Sequence, residues 1–96
     1  METEVEMYRS GFSLSAPFPN PFNPSTTINF QVPADTYITL AVYNVSGQLV
    51  AVLRDTIVSA GYHSVVWDAL AMPSGIYFVT LKTGGFAETR KVLLMK

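Results

Sequence analysis

The sequence predicts an all-β fold: a two-layered antiparallel sandwich of about seven strands. Three observations carry this. Apolar and polar residues alternate with period two through most of the chain after residue 26. Gly, Pro, Asn and Ser clusters interrupt the alternation every ~8–12 residues, a spacing that points to the immunoglobulin-like type of sandwich. No window combines apolar residues at i, i+3, i+4 and i+7 with helix caps. A barrel is the alternative closure of the same strands. At 96 residues the chain has room for one domain with a modest core, and two independent domains are excluded.

Taken in order, residues 1–10 hold Glu2, Glu4 and Glu6 against Arg9 alone, a charge shift that marks them as linker or tail, leaving 11–96 as the domain. Next comes Ala16-Pro17-Phe18-Pro19-Asn20-Pro21-Phe22-Asn23-Pro24-Ser25. Each proline fixes φ at about −65° and lacks a donor N–H, and each biases its predecessor toward extended backbone. The expectation is a stiff, polyproline II-like stretch outside the sheet ladders. Phe18 and Phe22 are expected to plug the end of the sandwich. Asn20 and Asn23 suit local Asx-turns, and Pro21, Asn23 and Pro24 are read as structural turn residues. A proline-rich ligand for an SH3-type groove is the rival reading; a rigid lead-in that blunts an edge strand is the one adopted.

The strands follow. Ile28, Phe30 and Val32 face one way, Thr27, Asn29 and Gln31 the other. In 36–45, Ile38, Leu40 and Val42 oppose Tyr37, Thr39, Ala41 and Tyr43. Ser46-Gly47-Gln48 is a tight turn whose Gly47 supplies positive φ, and 49–54 returns as partner. After Ser59-Ala60-Gly61, residues 62–68 set His63, Val65 and Trp67 against Ser64, Val66 and Asp68. Met72-Pro73-Ser74-Gly75 is another turn, with Gly75 as its required residue. Residues 76–83 then alternate, Gly84-Gly85 reads as a two-residue loop accepting a primed turn, and 86–95 closes the chain. The predicted core is Ile28, Phe30, Leu40, Val42, Val65, Trp67, Tyr77, Val79 and Leu81.

Composition narrows function. Without cysteine there is no disulfide, thiolate zinc site, iron–sulfur cluster or thiol catalysis. A net charge of −1 with six scattered basic residues argues against nucleic-acid binding. No apolar run approaches the ~20 residues of a membrane-spanning helix, and the acidic N-terminus lacks the apolar stretch of a signal peptide. Only 14% of residues are charged, against roughly 25% in soluble domains, so the surface keeps apolar area for contact with something.

No catalytic constellation is legible. His63 is the sole histidine, and its alternation with Val65 and Trp67 makes it an inward or edge residue; a triad with Ser64 and Asp68 lacks any nucleophile elbow. Asp35, Asp55, Asp68 and Glu88 lie near turns and strand ends, as solvated carboxylates rather than a paired acid and base. No Asp-x-Asp-x-Asp loop or phosphate cradle is present, and no cofactor is expected. Tyr37, Tyr43 and Phe78 fall opposite the core strips. Exposed rings there suggest sugar stacking by Tyr37 and Tyr43 as an alternative function, although cross-strand aromatics also stabilise sheets without ligand.

Five ordered motifs carry a family likeness. They are Pro19-Asn20-Pro21-Phe22-Asn23-Pro24-Ser25-Thr26-Thr27-Ile28, then Val42-Tyr43-Asn44-Val45-Ser46-Gly47-Gln48-Leu49-Val50, then Ala60-Gly61-Tyr62-His63 with Trp67-Asp68, then Ser74-Gly75-Ile76-Tyr77-Phe78, and lastly Arg90-Lys91-Val92-Leu93-Leu94-Met95-Lys96. Over roughly residues 12 to 96 the chain resembles the C-terminal sorting domains (type A) of the type IX secretion system, and it is also similar to the Ig-like domain of flagellar hook-assembly proteins. The resemblance implies a non-catalytic module following an upstream cargo domain. It would be read by an outer-membrane secretion translocon and processed by a sortase-like peptidase. Its carrier would be secreted or surface-held after crossing the periplasm of a Gram-negative bacterium. Lys91, Val92, Leu93, Leu94, Met95 and Lys96 are then the expected recognition residues, offered as a free terminal strand for β-augmentation. Such an edge would also allow weak homodimers. A structural spacer beside a secreted enzyme is the remaining alternative.

Overall fold

A computed structural model of the chain describes residues 11–96; the linker expected over residues 1–10 lies outside the described residues. Seven strands run in order: β1 (Ser13–Leu14), β2 (Ser25–Val32), β3 (Thr36–Tyr43), β4 (Leu49–Val58), β5 (Gly61–Asp68), β6 (Gly75–Thr83) and β7 (Phe86–Leu94). Their antiparallel pairings make a three-stranded sheet ordered β1-β2-β5 and a four-stranded sheet ordered β4-β3-β6-β7. The sandwich expectation therefore holds. In constant-type immunoglobulin domains the fourth strand joins the first sheet, whereas here β4 stays beside β3. The reason is local: Asn44 accepts the Ser46 and Gln48 amides through its Oδ1 at 2.9 and 3.0 Å, and Gly47 at φ +83° closes the turn.

Period-two alternation becomes two facing apolar layers. All nine predicted core residues are buried. Phe12, Leu14, Phe22, Val32, Ile38, Ala69, Val92 and Leu94 join them. β1 was not foreseen, since two residues show no period, yet Leu14 is fully enclosed. β4 runs four residues beyond its predicted end. Leu53 and Val50 are extra residues in its pairing with β3, because Leu40 faces Arg54 and Ala41 faces Val52, then Val42 faces Ala51 and Tyr43 faces Leu49. Both bulged residues lean on the core. Gly84 and Gly85 join β6 to β7, but neither has positive φ, so the primed turn read from the sequence is not formed.

Aromatic rings close the two ends. At the pole where the described chain begins, Phe12 stacks on Phe86 with centroids 5.0 Å apart. At the opposite pole Trp67 lies 5.4 Å from Phe22 and 5.3 Å from Tyr77. The Tyr77 hydroxyl donates to the Pro73 carbonyl at 2.6 Å, four residues upstream, in the manner of a tyrosine corner. Phe22 is the plug that was expected, but Phe18 is not: its ring is 76% exposed, because Phe18 pairs through its backbone with Thr27 and projects outward. Nor is the proline segment outside the ladders. Phe18 bridges Thr27 and Phe22 bridges Leu94, while the peptide bonds before Pro19, Pro21 and Pro24 are cis. Thr26, the one buried polar residue among the described residues, donates to the Pro19 carbonyl at 2.8 Å.

Three substitutions test this packing through stability. Phe22→Ala removes a buried ring from the Trp67 cluster and should lower the unfolding free energy by about 3–5 kcal/mol, while Phe18→Ala should change it by less than about 0.5 kcal/mol; urea denaturation reads both. Gly75 sits at φ +152° with open space where a Cβ would be built, so Gly75→Ala should destabilise through backbone strain alone, by roughly 1–3 kcal/mol.

Candidate functional site

The residues expected to carry recognition lie on β7 and just past it, and they divide by alternation. Val92 and Leu94 point inward and are fully buried among β6 and the aromatic cluster, so their side chains serve the core and are closed to a partner of the folded domain. Lys91, Met95 and Lys96 are exposed and Leu93 is half-buried. On the face of the sheet, Phe78 pairs with Lys91 and Ile76 with Leu93. Lys96 is drawn back onto the β5–β6 loop, its amide donating to Ser74 Oγ at 3.0 Å and its Nζ to the Leu70 carbonyl.

The free terminal edge that β-augmentation needs is absent. The Asn20–Phe22 segment lies along the outer side of β7. Asn20 Oδ1 accepts the Leu93 amide at 3.0 Å, and Asn20 Nδ2 donates to the Lys91 carbonyl at 3.3 Å. The Phe22 amide donates to the Leu93 carbonyl and the Met95 amide to the Phe22 carbonyl, each at 3.0 Å. One side-chain amide and one backbone residue thus stand in for a strand, as the accounting of backbone donors and acceptors demands. Farther along, Leu14 presents the matching edge of β1. Its amide donates to Glu88 Oε1 at 3.0 Å and its carbonyl accepts Arg90 Nε at 2.7 Å. Glu88 and Arg90 are themselves ion-paired at 3.2 Å. This side of the sandwich is sealed, and its open edges are those of β4 and β5.

The turn residues behave as structural elements. The Pro24 carbonyl accepts the Ala69 amide at 2.9 Å, Gly47 and Gly75 hold positive φ, and Pro21 and Asn23 are exposed in the segment beside β7. Sequence reasoning missed Asn20, whose Asx-turn reading was local although its amide reaches residues more than 70 positions away. It also missed Asn44, although an Asn opening the Asn44-Val45-Ser46-Gly47 stretch is a turn signal that could have been used.

The residues weighed for other chemistry are dispersed. His63 stacks on Phe30 at 5.2 Å and its Nε2–H donates to the Ser59 carbonyl at 2.7 Å. Ser64 Oγ donates instead to Asn29 at 2.7 Å, and Asp68 accepts the Leu70 amide at 3.0 Å, so the three form no relay. Asp35 accepts the Ala60 amide at 3.0 Å, tying the β2–β3 loop to the β4–β5 loop. Among the described residues no three His, Cys, Asp or Glu side chains gather, and no helix is long and apolar enough to cross a membrane. Tyr37 and Tyr43 share the outer face, but Thr39 and Ala41 lie between them, a separation of about 20 Å along a strand, so they make no continuous platform for a sugar. Tyr37 is engaged with Asp55, donating its hydroxyl at 2.6 Å. That hydrogen bond, with smaller contributions from desolvation and the carboxylate's charge, raises the phenol above its ordinary pKa. A groove of about 240 Å³ at the C-terminal pole is walled by Asn44, Val45, Val50, Met72 and the 73–77 stretch.

A search of curated protein sequences found no match. Among the solved structures that share the fold are two from Porphyromonas gingivalis. PorZ, described as an essential bacterial surface component of the type-IX secretion system, aligns with a TM-score of 0.62 at 17% identity, covering 93% of this chain and 12% of its own. Dimeric latent PorU aligns with a TM-score of 0.57 at 17% identity, covering 82% and 9%. The chain therefore spans about a tenth of either protein. At the level of sequence, residues 16–95 match the family described as the secretion system C-terminal sorting domain, the span that holds the proline segment, the sealing of β7 and the closing strand itself. The chain belongs to that family of sorting domains, the type IX family its ordered motifs resemble.

Proposed function

We propose that this module is the non-catalytic C-terminal address of a larger secreted protein. An upstream cargo domain is carried with it through the type IX outer-membrane translocon to the cell surface or the medium, and a sortase-like peptidase acts where cargo and module meet. The family match over residues 16–95 carries the reading, and the geometry supports it. The described chain begins beside the β2–β3 and β6–β7 connections, since Ser13 pairs with Gln31 and Phe12 stacks on Phe86. Its last residues lie at the other pole, where Leu94 pairs with Gly75 and Lys96 is held by Ser74. A nine-residue strand separates the two by about 30 Å, so the tail faces away from whatever precedes the domain. Of the expected recognition residues, Lys91, Leu93, Met95 and Lys96 carry the contact in this reading, while Val92 and Leu94 hold the strand in place.

The test is a reporter fused ahead of residues 11–96 in a bacterium that has the translocon. Export to the surface or medium is expected, with periplasmic retention in a strain lacking the translocon; equal distribution in the two strains would reject the proposal. Met95→Ser with Lys96→Ser, which leaves the core untouched, should lower export severalfold while the unfolding midpoint of the purified module stays within a few degrees of wild type.

A further inference from the structure

The sealed edge decides how such a tail can be read. Strand addition along residues 91–95 would require Asn20 and Phe22 to leave, and Phe22 cannot leave without withdrawing its buried ring from Trp67. The edge and the core are closed by the same residue. What the tail still offers is side chains, and the register shows where they lie. Leu49, Tyr43, Phe78 and Lys91 form one row across all four strands, and Ile76 and Leu93 form the next. Directly opposed residues on one face are neighbours at ~4.5–5.5 Å between Cβ atoms, so the six make a continuous strip on the outer face of the sheet. Leu49 is 54% and Ile76 39% exposed, and Tyr43, Phe78 and Leu93 are half-buried. Lys91 ends the row, and among the described residues it makes no ion pair, the only one there being Arg90 with Glu88.

We infer that the tail is recognised through this outer strip, with the domain folded and the edge sealed, by a protein surface that is apolar and carries a carboxylate opposite Lys91. The inference rests on the sorting reading above and names the surface that reading would use. An apolar strip ending in one unpaired cation is matched by an apolar surface ending in one acid, since the unpaired ammonium gains on meeting a carboxylate and the rings gain on losing water. The address is then a conformational one: residues 86–96 as a free peptide lack it.

The reporter fusion tests this with three changes. Lys91→Glu and Leu49→Ser should each reduce export at least fivefold with unfolding midpoints close to wild type, whereas Tyr62→Ser, on the exposed face of β5 in the other sheet, should leave export unchanged. Asn20→Ala distinguishes the modes. It removes two of the contacts that seal β7, so strand addition predicts faster export, and reading of the folded strip predicts unchanged or slower export. Faster export of Asn20→Ala, or wild-type export of both Lys91→Glu and Leu49→Ser, would overturn the inference while the sorting reading stands. Loss of export by the unaltered fusion would instead strike the sorting reading itself.

Discussion

Phe22 is the residue on which the rest of the molecule depends. Its ring fills the pole of the sandwich against Trp67, and its amide and carbonyl pair with Leu93 and Met95 on the far side of β7. Burial of the ring holds the backbone in place, and the backbone pairs align the ring. A chain of this size has little apolar area to spare. Coupling the plug to the edge lets one residue do two jobs that larger sandwiches divide between strands.

The two sides of the sandwich handle exposed edges differently. Between β1 and β7, polar side chains substitute for the missing ladder: the Asn20 amide on β7, and Glu88 with Arg90 on Leu14. Between β4 and β5 the edges stay open. Two bulges twist β4, and Arg54 with Asp55 places charge along it, both familiar means of discouraging strand-to-strand pairing. Pairing between copies through the final strand, which a free edge would have permitted, is blocked over residues 91–95 by the proline segment.

Few charges and many surface apolar groups accord with a module whose work is contact. On the outer face of the four-stranded sheet, Asp55 at one end is occupied by Tyr37 and Thr39, while Lys91 at the other makes no ion pair among the described residues. The same strand supplies buried Val92 and Leu94 to the core and Lys91 and Leu93 to the face. Core packing and the proposed recognition surface are thus interleaved residue by residue, and deleting the tail would confound them.

Local periodicity and turn residues were enough to determine six of the seven strands, the hairpin at Gly47, the turn at Gly75 and nine of the core residues, because side-chain direction in a strand depends only on whether its position is odd or even. It also placed Tyr37 and Tyr43 on the outer face. It could not reveal that the proline segment lies on β7, since the pairs from Asn20 to Lys91 and from Phe22 to Leu93 span some seventy residues and leave no mark in the intervening pattern. Nor could it show that Val92 and Leu94 belong to the core, that Phe18 turns out where Phe22 turns in, or that Glu88 is a partner of Leu14 rather than a solvated carboxylate. Those outcomes were decided by tertiary structure: which edge a segment covers depends on where two layers close in space, and that is a property of the whole packed chain.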